Sequence, residues 1–117
     1  MPLETGKWTI NENGTVDQLT IINVDVAGSV SGTLFGAPIS GFWNEASQKL
    51  TFVSPTPENL AQGEKLYTGF LFTDQFRMPG VRGGTVFTLA GYFTAFGTGT
   101  ASVDRPTFGW YAQIGVA

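Results

Sequence analysis

Apolar and polar residues alternate with period two along most of this 117-residue chain. The alternation stops at short clusters of Gly, Asn, Pro and Ser, and between them it predicts eight strands. The first covers Gly6–Asn11 and ends at Asn13-Gly14, a dipeptide suited to the two left-handed positions of a tight hairpin turn. The second covers Val16–Asp25, where Leu19 and Ile21 alternate with Thr20, Ile22 and Val24, and Ala27-Gly28 turns the chain. The third is Ser29–Phe35, followed by a turn at Gly36-Ala37-Pro38. The fourth and fifth, Ile39–Asn44 and Lys49–Ser54, flank a turn at Glu45-Ala46-Ser47. The sixth is Lys65–Thr73, the seventh Thr85–Gly97 and the eighth Thr107–Val116, with Phe108, Trp110, Ala112, Ile114 and Val116 on one face.

No segment keeps a helical period. Pro57–Gln62 allows one helical turn capped by Thr56. Consecutive strands joined by short turns predict an all-β chain, an antiparallel up-and-down meander. Eight such strands suffice to close a β-barrel, and closure removes the exposed edges. The expected organisation is one barrel domain over residues 1–117.

In such a meander the loops after strands one, three, five and seven share an end. Two of these, Ser54–Glu64 and Gly97–Pro106, are long, which marks that end as the place for a ligand. The sixth and seventh strands are apolar on both faces. Leu66, Phe70 and Phe72 alternate with Tyr67 and Leu71; Val86, Ala90, Tyr92 and Phe96 alternate with Phe87, Leu89 and Phe93. A barrel buries one face of each strand, so the outer face of strands six to eight is expected to pair with another copy in a homo-oligomer.

Composition narrows the function. Charged residues make up 13% of the chain and the net charge is −3, with six basic residues scattered along it. That pattern lacks the basic face of a nucleic-acid binder, and Arg77 and Arg82 share one loop rather than a surface. No uninterrupted apolar stretch is long enough for a membrane-spanning helix, and no membrane partner is expected. There is no Cys and no His, so the commonest metal ligands and the commonest general base are missing. Nearly all of the nine carboxylates, Glu4, Glu12, Asp17, Asp25, Glu45, Glu58, Glu64, Asp74 and Asp104, fall in turns and at strand ends, where solvated charges lie. The expectation is no enzyme, no metal and no cofactor. The opening MPLETGKW has no leader pattern, which places the chain in the cytoplasm as it stands, or outside the cell if a leader has been removed.

A tryptophan directly behind a glycine, at Gly6-Lys7-Trp8, suits the closed floor of a barrel. The run Thr5-Gly6-Lys7-Trp8-Thr9, with Asn11, Gly14-Thr15 and Leu19-Thr20-Ile21, resembles the first hairpin of the avidin and streptavidin family. Gly32-Thr33 within Ser29–Phe35 is similar to that family's third strand. Gly-x-Trp also occurs in lipocalins and fatty-acid-binding proteins. The resemblance implies an eight-stranded barrel that binds biotin or another small molecule. It implies ligand-binding roles for Asn11, Thr15 and Thr33, with Trp43 and Trp110 as stacking aromatics. The chain departs from the family in the spacing of Asn11 from Trp8, and in carrying Leu34 where the family has a tyrosine hydroxyl. Two further readings stand beside it: a structural or interaction barrel filled by its own side chains, and a carbohydrate-binding module.

Overall fold

The computed structural model describes residues 2–54, 64–74, 85–96 and 107–116. Eight strands form a closed antiparallel barrel in chain order: β1 (Gly6–Glu12), β2 (Thr15–Val24), β3 (Ser29–Leu34), β4 (Ala37–Asn44), β5 (Lys49–Ser54), β6 (Glu64–Asp74), β7 (Thr85–Phe96) and β8 (Thr107–Val116). β8 returns to pair with β1, so no edge is left. The expected all-β, up-and-down barrel is the observed one. The helical turn expected at Pro57–Gln62, and the loop carrying Arg77 and Arg82, lie outside the described residues.

The turns follow local chemistry. Asn13 and Gly14 both take positive φ, 48° and 94°, and join β1 to β2 through two residues. Between β3 and β4 the structure corrects the sequence reading. The turn is Phe35-Gly36, with φ 52° and 76°, rather than Gly36-Ala37-Pro38. Two left-handed residues match the twist of the flanking strands, and Pro38 joins β4 opposite Thr33, near the strand's start, where a proline is tolerated. A second correction concerns β2. The register shifts between Ile21 and Asn23, so the alternation does not continue unbroken to Val24. The extra residue leaves Ile22 exposed and packs Val24 against the core.

Period two fills the interior. Trp8, Ile10, Leu19, Ile21, Val30, Leu34, Ile39, Trp43, Leu50, Phe52, Tyr67, Leu71, Leu89, Phe93, Trp110 and Ala112 are all buried. β7 turns Phe87, Leu89, Gly91 and Phe93 inward, opposite Thr73, Leu71, Gly69 and Tyr67 of β6. Two lateral rows dominate. One runs Phe52–Tyr67–Phe93–Phe108 across β5 to β8, with neighbouring rings stacked at centroid distances of 4.5, 5.0 and 5.3 Å. The row beside it runs Leu50–Gly69–Gly91–Trp110–Glu12. Trp110 meets Phe52 and Tyr67 edge-on at 5.9 and 5.8 Å. Its indole occupies the space a side chain at Gly69 would need, since a Cβ there would lie 2.5 Å from the ring.

Leu3 and Trp8 close the end from which β1 begins. Trp8 is fully buried, and its indole N–H donates to the Glu4 carbonyl at 3.1 Å. The tryptophan behind a glycine is a floor, as its position suggested.

Replacing Gly69 with alanine is expected to force Trp110 off its seat and to destabilise the fold by about 1–3 kcal/mol. Urea unfolding measures it. A G69A midpoint equal to wild type would show that the indole does not rest there.

Candidate functional site

Glu12, Thr15, Lys65, Ala95 and Phe108 lie at the ends of β1, β7 and the starts of β2, β6, β8. Antiparallel order therefore brings them to one end of the barrel, the end shared by the loops after β1, β3, β5 and β7. There a cavity of about 240 Å³ is lined by Glu12, Asn13, Thr15, Lys65, Phe93, Ala95 and Phe108.

Glu12 is the centre of this mouth. It follows Trp8 and Ile10 at period two, so β1 delivers its carboxylate to the inside, where it is 6% exposed. This corrects the expectation that it is a solvated strand-end charge. It is the one buried charged residue among the described residues. An unpaired buried carboxylate is strongly disfavoured, and two partners meet it. Lys65 Nζ donates to Oε1 at 2.8 Å, and the Tyr67 hydroxyl donates to Oε2 at 2.6 Å. Lys65 also lies over the Phe93 ring, 5.6 Å from its centroid. Tyr67 stands in the aromatic row, so the polar cluster grows directly out of the core.

The five residues suggested by the sequence do not converge. Thr15 lines the mouth. Asn11 faces outward between the inward Ile10 and Glu12, and its Oδ1 accepts the Gly14 N–H at 2.9 Å, which fixes the hairpin turn. Thr33 also faces outward, between the buried Gly32 and Leu34. Trp43 lies toward the opposite end, where its indole N–H donates to Glu45 at 2.6 Å. Trp110 belongs to the core, its N–H given to the Tyr92 carbonyl at 3.0 Å. Sequence reasoning passed over Glu12, Lys65, Tyr67, Phe93 and Phe108 as a group. The signal was present: Glu12 continues the Trp8–Ile10 row, and Lys65 shares the phase of Tyr67.

A larger cleft of about 560 Å³ lies at the opposite end, lined by Leu3, Val24, Gly28, Phe42 and Trp43 among others. Its two carboxylates hold local structure. Asp25 Oδ1 accepts the Ala27 and Ser29 N–H groups at 2.9 and 2.8 Å to hold the β2–β3 turn, and Glu45 accepts from Trp43. The mouth carries the richer chemistry: a buried acceptor, an ammonium, a hydroxyl and aromatic walls.

Comparison with protein-family models, curated proteins and solved structures returns no match.

Burial, then the hydrogen bond to Glu12 and its negative charge, push the Tyr67 phenol above its ordinary value of 10. The folded state therefore keeps the proton at a pH where the unfolded chain releases it. Stability from this group is complete below the unfolded value and declines as pH rises above about 10. Tyr67→Phe should remove up to about 1.4 kcal/mol per pH unit of that alkaline slope. Urea unfolding between neutral and strongly alkaline pH measures it; equal slopes for wild type and Y67F would contradict the buried phenol.

Proposed function

We propose that the chain is a small-ligand-binding barrel of the avidin-like type, with its site at the mouth around Glu12, Lys65 and Tyr67. The observation that carries this reading is the buried carboxylate that lines the cavity at this end of the barrel. Ligand sites commonly join apolar walls to a few convergent polar groups, and Phe93 and Phe108 supply the walls. The volume of about 240 Å³ lies below the roughly 300–1,000 Å³ usual for drug-sized ligands. A small ligand, or one end of a larger one, suits it.

Biotin is the ligand that the first-hairpin resemblance suggests. Its cyclic urea has N–H donors for Glu12 and a carbonyl acceptor for Lys65 or the Thr15 hydroxyl. A biotin titration followed by calorimetry and tryptophan fluorescence tests this. Saturable binding at micromolar concentration, weakened about tenfold or more by Glu12→Gln or Thr15→Ala, is the expected result. Thr33→Ala should leave it unchanged, because that side chain faces outward. No response at millimolar biotin would remove biotin as the ligand.

A second reading, an interaction barrel, is favoured by the aromatic outer wall. Phe70, Phe72, Tyr92 and Tyr111 are each about half exposed, at 49, 52, 50 and 47%. They share a face with Leu66, Thr68, Val86, Thr88, Ala90, Thr94, Gly109 and Gln113, with charged residues of the same phase only at its margins, at Lys49, Glu64 and Asp74. A face whose centre is uncharged can meet its own copy with little like-charge repulsion, so a second copy of this chain is the inferred occupant. Sedimentation should then give a dimer or larger species at micromolar concentration, and Tyr92→Glu should give a monomer. A monomeric wild type would contradict the pairing.

A further inference from the structure

We propose that the mouth of the barrel is a site for a primary alkylammonium ion, and that Lys65 fills it from within the chain. The inference rests on the reading of the mouth as a ligand site and names the class of ligand. Lys65 is in effect a tethered alkylamine: its ammonium is held by Glu12 Oε1 at 2.8 Å and lies over the Phe93 ring.

Three observations favour exchange with an external amine. First, the two partners differ in burial. Glu12 is enclosed at 6% exposure, whereas the Lys65 side chain is 42% exposed and stands one residue inside the start of β6. The lysine can swing into water and regain its hydration, and the carboxylate cannot. Second, the charges around the cavity select a cation. Once Lys65 leaves, no other basic side chain among the described residues lines the cavity, and the Tyr67 hydroxyl is the one described donor left to the buried carboxylate. An anion would meet the buried Glu12 carboxylate. Third, the walls suit an organic cation rather than a bare metal ion. The Lys65 ammonium lies 5.6 Å from the centroid of Phe93, which stacks on Phe108, so an aromatic wall already accompanies an ammonium there. Among the described residues no group of three acidic side chains offers a metal site.

Lys65→Ala removes the tethered amine and opens the cavity. The probe is n-butylammonium chloride, compared with sodium chloride at equal ionic strength, butyrate and butyramide. K65A should melt below wild type. Butylammonium, alone among the four, should raise its melting temperature and bind it saturably, one to one, about tenfold or more tighter than wild type. The Glu12→Gln, Lys65→Ala double variant should show neither effect. Equal responses of K65A to butylammonium and sodium chloride, or an equal response of the double variant, would overturn the proposal. Saturable binding of butyramide that survives Glu12→Gln would overturn the cation class while leaving the mouth as a ligand site. Absence of binding by all the organic probes would overturn the cation class, and the biotin titration then judges the mouth separately. If K65A does not fold, wild type supplies the measurement. Titration with butylammonium should move the Lys65 Cε resonance saturably toward that of a free lysine; a shift that sodium chloride reproduces would contradict displacement.

Discussion

The indole of Trp110 lies on the backbone of Gly69, and the barrel interior is organised around that contact. A Cβ at Gly69 would enter the ring, and one at Gly91 would enter the Thr68 carbonyl. Gly69 therefore leaves the space that the indole of Trp110 takes, and Gly91 lets β7 lie close against the backbone of β6. With the indole in place, Phe52 and Tyr67 meet its edge, and the Phe52–Tyr67–Phe93–Phe108 row stacks beside it. Aromatic pairs of this kind contribute about 0.5–1.5 kcal/mol each beyond their buried area. The row also determines where chemistry can occur. It fills the middle of the barrel and leaves polar groups a place at its upper margin, where the Tyr67 hydroxyl emerges next to Glu12.

The Glu12–Lys65 pair at that margin contributes little to folding. A buried ion pair adds little to stability, because desolvation offsets most of the attraction, and apolar replacements of similar size are often neutral or stabilising. Breaking such a pair by removing one partner is far more disruptive. Glu12 therefore constrains the mouth: whatever sits there must give it a positive charge or hydrogen-bond donors. Lys65 and Tyr67 meet that requirement, Lys65 from a partly exposed position.

The strand count, the antiparallel order and most boundaries were legible in the sequence, because a barrel wall has one wet face and one dry face and the chain records both. β5 and β8 begin and end where the alternation does. The misplaced β3–β4 turn has a physical reason. Phe35 accepts a positive φ that bulky residues normally avoid, and no periodicity signals that. The β2 bulge is hidden for a similar reason: Ile21 and Ile22 are equally apolar, and only pairing with β3 decides which one turns inward. The candidate site was less legible. A motif-based reading chose Asn11 and Thr33 by likeness of residue type, and both lie in the outward phase of their strands. Phase alone selects Glu12, because a charged residue that extends the Trp8–Ile10 row must lie inside. Its partners Lys65 and Tyr67 lie over fifty residues away and are joined to it only by barrel closure through β8.

Trp110, seated on Gly69, fills the middle of the barrel and leaves the polar cluster of Glu12, Lys65 and Tyr67 at the mouth. Proton NMR tests it most directly. The account predicts strong cross-relaxation between the Gly69 Hα protons and the six-membered ring of Trp110, with at least one Hα moved far upfield by the ring current. Gly69 Hα protons at ordinary shifts, with no cross-peak to the indole, would contradict it and place an open cavity where the ring is expected.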